Sequence, residues 1–89
     1  MQVRASHILV ETESQATELY NQVSRGADFA QLASQHSKCP SGRQGGDLGM
    51  FGRGQMVPEF EMAAFNNPVG QVIGPVKTQF GYHLVVRTA

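Results

Sequence analysis

The first ten residues alternate in a way that predicts a β-strand. One face takes the odd positions from Val3 to Leu9, and the other takes the even positions from Arg4 to Val10. Successive side chains of a strand point to opposite sides of a sheet, so the two sets face different layers. Because both sets are mostly apolar toward the end of the stretch, we expect an inner strand that is covered on both faces. His7 belongs to the odd face.

Two helices are predicted between residues 12 and 37. Thr12 and Gln15 form a capping-box pattern, apolar residues then recur at helical spacing, and Gly26 supplies a C-terminal stop. Asp28 can cap a second, shorter helix, which is expected to fray near His36. Each helix presents an apolar side inward.

The segment Lys38–Gly54 holds six of the 10 glycines and changes the character of the chain. A flexible linker would not usually carry Leu48, Met50 and Phe51 among its glycines, so we interpret the glycines as tight turns. A short strand is predicted around residues 48 to 51.

The C-terminal third predicts a helix followed by two strands. Pro58 fits the first turn of a helix that Asn66-Asn67-Pro68 ends. Val69–Val76 contains two glycines and a proline, which favours a short edge strand and a turn. The last strand runs from about Gly81 to Arg87. Strands at both ends with helices between them predict one small α+β domain, residues 1–89, with a mainly antiparallel sheet.

Two histidines are expected to meet in this sheet. Parity on the last strand places His83 on one face with Gly81 and Val85. If the two terminal strands pair, His7 and His83 can share that face and one hydrogen bond, and each ring can fix the tautomer of the other. Each histidine taken alone is also compatible with a buried core residue.

Composition excludes several classes of partner. The 7 Lys and Arg balance the 7 Asp and Glu, so no broad basic field is present to hold nucleic acid or an anionic membrane. We expect a partner that is neutral, apolar or polar at short range. The one cysteine excludes an internal disulfide, and residues 1–4 lack the apolar core of a signal peptide, so a cytoplasmic, monomeric domain is the expectation.

Cys39, next to Pro40 in the glycine-rich segment, could act as a nucleophile with His7 or His83. The residues alone favour a plainer interpretation, a half-buried apolar thiol. His36 and Cys39 have the spacing of half a zinc motif, but no second cysteine supplies the other half. We therefore expect no metal and no other cofactor.

Three apolar side chains could line a pocket of proline-ring size. Met56 and Phe60 lie four residues apart across the start of the third predicted helix, and Phe80 lies at the mouth of the strand that carries His83. Ordinary core packing would explain each of them alone. Their grouping beside the histidines favours a binding site.

Four sequence motifs together resemble the parvulin family of peptidyl-prolyl cis/trans isomerases. They are Ser6-His7-Ile8-Leu9-Val10, Gly46-Asp47-Leu48-Gly49, Gly54-Gln55-Met56-Val57-Pro58-Glu59-Phe60 and Gln79-Phe80-Gly81-Tyr82-His83. The resemblance covers nearly the whole chain and is strongest to the small stand-alone bacterial parvulins. It implies a parvulin/FKBP-like fold of four antiparallel strands surrounded by helices, with the first and last strands at the centre.

The resemblance also implies roles for individual residues. It assigns the catalytic polar network to His7, Cys39, Thr78 and His83, and substrate binding to Leu48, Met56, Phe60, Gln79 and Phe80. The implied substrates are X-Pro bonds in proline-containing peptides and unfolded polypeptides. The implied chemistry is rotation about the peptide bond, for which no covalent step is required.

One departure from the family bears on specificity. Members that select phosphoserine or phosphothreonine before proline carry a basic loop after the first strand, whereas Glu11 and Glu13 stand here and would repel a phosphate. We therefore expect unphosphorylated substrates with an uncharged or hydrophobic residue before proline. Two alternatives stay open: a peptide-holding chaperone module with weak or no isomerase activity, and a thiol enzyme that uses Cys39 and His83.

Overall fold

The computed structural model describes residues 1–89 as four strands, three α-helices and one 3-10 helix. The strands are β1 (Gln2–Val10), β2 (Asp47–Gly52), β3 (Val72–Thr78) and β4 (Gly81–Arg87), and the α-helices are α1 (Glu13–Ser24), α2 (Phe29–His36) and α3 (Pro58–Phe65). All strand pairs are antiparallel in the order β2-β1-β4-β3, so the two terminal strands lie at the centre of the sheet. The predicted α+β fold and the central position of the terminal strands are confirmed.

The N-terminal ends of α1 and α2 follow from the residues that precede them. Thr12 Oγ1 accepts the Gln15 N–H at 3.1 Å, and Asp28 Oδ1 accepts the Ala30 N–H at 3.1 Å. Each bond satisfies an amide that the first helical turn leaves free. The Gln15 side chain does not return a bond, so only half of the predicted capping box forms. The longest helix has 12 residues, and none is both long and apolar enough to cross a membrane.

The sheet separates two hydrophobic cores. Helix α3 covers one face, where the core consists of Val3, Ala5, Phe51, Phe60, Ala64, Phe65 and Val85. Helices α1 and α2 cover the other face, where the core consists of Ile8, Val10, Ala16, Leu19, Leu32, Ala33 and Leu84. The alternation along β1 therefore assigns odd residues to the α3 face and even residues to the α1 and α2 face, as predicted.

The pairing of β1 with β4 fixes where the two histidines lie. Leu9 pairs with His83, and His7 pairs with Val85, so the histidines are diagonal neighbours across the two strands. Both side chains are buried, and both contact the ring of Phe60 from α3. The prediction that the histidines share a face and a hydrogen bond is confirmed, with 3.0 Å between their Nδ1 atoms.

The glycine-rich segment is a compact connection from α2 to β2. It contains a 3-10 helix at Pro40–Gln44, which the sequence did not predict, because its residues favour turns of several kinds. Gly46 has φ +85°, and its carbonyl oxygen accepts the His7 N–H at 2.9 Å. A Cβ atom at Gly46 would lie 2.3 Å from the His7 carbonyl oxygen. Only glycine allows this approach, which holds the segment against β1.

Candidate active site

A cleft of about 490 Å³ opens on the α3 face of the sheet, beside the two histidines. Its lining residues are His7, Leu9, Lys38, Cys39, Pro40, Leu48, Gln55, Met56, Val57, Phe60, Phe80 and His83. Most of these side chains are apolar, and one lysine is the only member with a permanent charge. The cleft therefore suits an uncharged, partly apolar group of a peptide.

The structure brings most of the predicted site residues together. Those that line the cleft are His7, Cys39, Leu48, Met56, Phe60, Phe80 and His83. Thr78 is buried behind the cleft, where its hydroxyl meets the ring of His83. Gln79 lies exposed in the turn between β3 and β4 and is not among the lining residues. The binding role predicted for Gln79 therefore has no support in the geometry.

A chain of hydrogen-bonded side chains runs behind the cleft. Thr78 Oγ1 lies 2.8 Å from His83 Nε2, and His83 Nδ1 lies 3.0 Å from His7 Nδ1. At the other end, His7 Nε2 lies 3.1 Å from Ser41 Oγ. All four ring nitrogens thus have partners within the protein, and neither ring has a nitrogen left for a substrate.

The hydroxyl of Thr78 sets the order of protons along this chain. Its oxygen accepts the Phe80 N–H at 3.2 Å, and His83 Nε2 is the one acceptor within hydrogen-bonding distance of its own proton, so that proton goes to His83. His83 then carries its proton on Nδ1 and donates it to His7, whose own proton is on Nε2 and is donated to Ser41 Oγ. The reverse order would leave the proton of the buried Thr78 hydroxyl without an acceptor, which is costly.

Both imidazole rings are held in the neutral form. Burial, with a smaller effect from charge on His83, lowers the pKa of His7 from 6.5 to about 4. Burial also lowers the pKa of His83. Neutral rings are what the hydrogen-bonded chain requires, because a protonated imidazole has two donors and no acceptor.

Phe60 joins the apolar pocket to the histidine pair. Its ring meets those of His7 and His83 edge to face, with ring centroids 5.4 Å and 5.6 Å apart. The two imidazole rings lie nearly parallel, with centroids 5.2 Å apart. The residue predicted to bind substrate therefore also packs the histidines in place.

Cys39 lies half-buried at the cleft, and its sulfur forms no hydrogen bond. No Cys-His pair is present, because every ring nitrogen of the histidine pair is already bonded. The Cys39 N–H donates to Ser37 Oγ at 3.3 Å, and the same oxygen accepts the Leu9 N–H at 3.1 Å. Ser37 thus ties the cysteine to β1, while no side chain stands ready to take the thiol proton.

Asp47, in the Gly-Asp-Leu-Gly motif, braces the pairing of β1 and β2 next to the cleft. Its carboxylate accepts two N–H groups of the Arg4 guanidinium and the Gly49 N–H. The bond with Arg4, followed by that with Gly49, lowers the pKa of Asp47 to about 2. This contact lies where the register of β1 and β2 shifts between Arg4 and Ser6. The next residue, Leu48, lines the cleft.

Several residues that complete the site were not predicted from the sequence. Leu9 carried a signal, because it shares the odd face of β1 with His7. Ser37 and Ser41 carried none, since their partners on β1 stand 28 and 34 residues earlier in the chain. The other lining residues that were not predicted are Lys38, Pro40, Gln55 and Val57.

Comparison with known proteins finds a family match that includes every residue lining the cleft. The model of the rotamase family, a PPIC-type PPIase domain, matches residues 6–89. The foldase protein PrsA of Geobacillus sp. is 55% identical over 84 residues, which are 93% of this chain and 30% of that protein. The chain thus spans less than a third of the length of this curated relative.

Solved structures share the fold at about 40% sequence identity to this chain. Peptidylprolyl isomerase PrsA from Bacillus anthracis matches with a TM-score of 0.97 at 44% identity, over 99% of this chain and 41% of that one. NmPin, the parvulin of Nitrosopumilus maritimus, matches with a TM-score of 0.89 at 39% identity, over 99% of this chain and 96% of that one. The same domain therefore occurs within a longer protein and nearly alone.

Proposed function

The chain belongs to the PPIC-type peptidyl-prolyl cis/trans isomerase family, the parvulins, and from this premise we propose how it isomerises X-Pro bonds and in which substrates. The substrates are unphosphorylated peptides and folding proteins, and the bond rotates without a covalent step. The observation that carries the proposal is an apolar cleft set directly against a neutral histidine pair whose nitrogens are all bonded internally. The name of the PrsA foldases supports folding proteins as substrates.

The proline ring is proposed to bind among Leu48, Met56 and Phe60. Phe60 is 3% exposed and forms the base, whereas the other two side chains are half-buried and can gain contacts from a ligand. Phe80, at 62% exposure, lies at the entrance, and a bound peptide would remove its exposed apolar surface from water. Burial of such surface contributes about 25 cal/mol per Å² to binding.

Rotation is proposed to be accelerated because the cleft suits the twisted amide better than the planar one. Resonance in the planar bond places partial negative charge on oxygen and partial positive charge on nitrogen, and twisting removes this charge separation. A cleft that offers little solvation to the planar amide therefore lowers the barrier by differential binding. The neutral rings of His7 and His83 fit this role because they present no charge to the peptide.

The polar residues divide into two roles in this mechanism. Cys39 is proposed to touch the peptide through its thiol as a weak hydrogen-bonding group, since no base is bonded to its sulfur. Thr78 is proposed to act from behind the cleft, by holding the tautomer of His83. A covalent thiol mechanism is not favoured, because rotation needs no bond to be broken.

Selectivity against phosphorylated substrates is proposed from charges at the rim. Lys38 lines the cleft, but its Nζ lies 3.2 Å from Oε1 of Glu11, which offsets its charge. Glu13 follows at the start of α1. A phosphate at this rim would thus meet the carboxylate of Glu11 beside the one lysine of the lining, with Glu13 two residues further along the chain. An uncharged or hydrophobic residue before proline fits the largely apolar lining.

A peptide-holding module is the second candidate function. The observation that favours it is that the chain spans only 30% of the Geobacillus foldase, whose remaining length could supply its activity. In that case the cleft would hold proline-containing segments while adding little to the rate of isomerisation.

Magnetisation-transfer NMR on unmodified X-Pro peptides separates the two candidates. Wild type is expected to accelerate cis/trans exchange, and Met56→Ala to lose most of this acceleration because it removes a wall of the ring site. Met62→Ala is the matched control, since Met62 is 58% exposed on α3 and does not line the cleft. Peptide binding at the uncatalysed exchange rate would favour the holding module.

The same assay tests the mechanism and the selectivity. Cys39→Ser is expected to keep most of the activity, because a hydroxyl can replace a hydrogen-bonding thiol. A phosphoserine-proline peptide is expected to exchange more slowly than its unmodified parent. Complete inactivity of a folded Cys39→Ser protein would reopen the covalent mechanism, and faster exchange of the phosphopeptide would contradict the selectivity.

The proposed setting is a monomer in the cytoplasm. The single cysteine is compatible with a reducing compartment, and the cleft is complete within one chain. Light scattering after size-exclusion chromatography and fractionation of the source cells test these two proposals separately.

A further inference from the structure

Glu61 on α3 is a mostly buried carboxylate next to the cleft residue Phe60, and the isomerase site described above does not use it. We propose that Glu61 is a positioning residue that holds the loop Arg53–Val57, and with it Met56, at the distance from Phe60 that the proline ring needs. The proposal rests on the proposed ring site and adds a residue that sets its geometry.

The loop has few other attachments. Residues 53–56 form no backbone–backbone hydrogen bond, although Gln55, Met56 and Val57 line the cleft. At the start of the loop, Gln55 Oε1 accepts the N–H of Gly52, the last residue of β2, at 2.6 Å, which closes the turn after that strand. That bond shapes the turn without tying it to α3.

The loop enters α3 through Val57, whose carbonyl oxygen accepts the Glu61 N–H at 3.0 Å, and the Glu61 side chain supplies a second tie further back along the loop. Its Oε1 accepts the Gly54 N–H at 2.6 Å, and its Oε2 lies 3.4 Å from Nη1 of Arg53. Arg53 in turn stacks over the ring of Phe65, with the guanidinium carbon 4.5 Å from the ring centroid. Both carboxylate oxygens are therefore engaged by the loop.

The shorter distance makes the Gly54 contact the stronger of the two, 2.6 Å against 3.4 Å for Arg53. The Glu61 side chain is 18% exposed, whereas that of Arg53 is 59% exposed, so the ion pair is partly screened. A short N–H···O bond to a carboxylate is stronger than one between neutral groups. The Gly54 amide is thus the stronger of the two contacts by which the Glu61 side chain holds the loop.

This link explains how α3 controls two walls at once. Phe60 extends from the helix into the cleft, and Glu61, the next residue, fixes the loop that carries Met56. Without the carboxylate, the loop would still enter α3 through Val57, but the part around Gly54 would lose its hydrogen bond to the helix, and the ring site would widen at Met56. Neither oxygen of the Glu61 carboxylate contacts the hydrogen-bonded side chains of Thr78, His83, His7 and Ser41. Loss of Glu61 should therefore affect substrate binding more than rotation of the bond.

The test compares Glu61→Ala and Glu61→Gln with Glu59→Ala, a matched control on the same helix whose side chain is exposed and forms no hydrogen bond or ion pair. Glu61→Ala is expected to raise KM roughly tenfold, with kcat within about twofold of wild type, as loss of a charge-assisted hydrogen bond implies. The Gly54 amide should then exchange with solvent faster. Glu61→Gln retains an acceptor and should recover most of the KM, and Glu59→Ala should match wild type.

Two outcomes overturn the proposal. One is a wild-type KM in a Glu61 variant whose Gly54 amide exchanges faster, because the loop would then be free without consequence. The other is a loss confined to kcat. If Glu61→Ala does not fold, Glu61→Leu decides, since it keeps the apolar part of the side chain but removes both acceptors, and its KM must rise together with exchange of the Gly54 amide. Wild type without any acceleration of X-Pro exchange would instead refute the proposed isomerase function, so the two failures are distinguishable.

Discussion

Thr78 shows how one residue outside the cleft can govern the groups inside it. Its oxygen accepts the Phe80 N–H, which leaves its proton for His83 and so fixes the tautomers of both histidines. Phe80 stands at the cleft entrance, and its backbone is therefore tied to the buried histidines through one hydroxyl. A change at Thr78 should be felt at both places.

The tautomers can be read directly by 15N NMR of the imidazole rings. We expect a proton on Nδ1 of His83 and on Nε2 of His7 near neutral pH. Thr78→Val, which keeps the shape but removes the hydroxyl, should lower the unfolding free energy by about 1–3 kcal/mol and disturb both histidine spectra. Thr17→Val, at an exposed position on α1, is the control. A proton on Nε2 of His83 would mean that the chain runs in the opposite direction.

For single residues, the sequence predicts the position of a side chain when that position depends only on neighbouring residues. Strand parity was enough to place His7 and His83 on one face, because it depends only on neighbouring positions. Ser41 could not be predicted, since its contact with His7 exists only once the 3-10 helix has turned the segment back onto β1. Gln79 was assigned by its place in a motif, and the turn leaves its side chain outside the cleft.

Among the elements, the connection from α2 to β2 packs its backbone directly against β1 at His7. The Gly46 carbonyl accepts the His7 N–H, and no room exists for a side chain between the two backbones. Asp47 is the first residue of β2, and its carboxylate forms an ion pair with Arg4 on the neighbouring strand β1. The position of His7 thus depends on a glycine in a loop as much as on its own strand.

Replacing Gly46 and Gly49 by alanine, one at a time, distinguishes backbone strain from a steric clash of the added Cβ atom. Both glycines have positive φ, which costs an alanine about 1–2 kcal/mol. At Gly49 a Cβ atom meets nothing within 4 Å, so this strain should be the whole effect. At Gly46 the Cβ would also displace His7, so the loss of unfolding free energy should reach roughly 2–5 kcal/mol. Urea unfolding measures both, and equal losses would show that the close approach is unimportant.

Element boundaries were predictable where a capping residue or a proline marks them. Thr12, Asp28 and Pro58 begin their helices as expected, because each fills a position that the first turn requires. The 3-10 helix at Pro40–Gln44 was missed, since five residues of Pro, Ser, Gly, Arg and Gln carry no periodic apolar signal.

In the molecule as a whole, a buried polar chain passes beside one of two hydrophobic cores. Phe60 belongs to the α3 core and contacts both histidine rings. The core under α1 and α2 contains none of the hydrogen-bonded side chains Thr78, His83, His7 and Ser41. A domain of 89 residues has a modest net stability, so the cost of charging a buried ring is a large fraction of it. The fold and the site should therefore fail together at low pH.

The pH dependence of stability follows from the lowered pKa of His7. The unfolded chain takes up a proton near pH 6.5, whereas the folded chain does so only near pH 4, so protons favour unfolding between these values. The contribution of His7 is complete above pH 6.5 and is lost as the pH falls to 4, by about 3 kcal/mol, and His83 acts in the same direction. Asp47, whose pKa falls from 3.8 to about 2, loses its contribution only below pH 4.

Urea unfolding at pH 7, 5.5 and 4.5 tests this assignment. The unfolding free energy should fall at each step, and X-Pro exchange activity should follow the folded fraction, because folding lowers the pKa of both rings and that of His7 to about 4. His36→Gln should leave the profile unchanged, since His36 is exposed and outside the hydrogen-bonded chain. His7→Leu should make the pH dependence of stability weaker and leave the part that belongs to His83. A wild-type stability that is constant from pH 7 to 4.5 would mean that the histidines are protonated as easily in the folded chain as in the unfolded one.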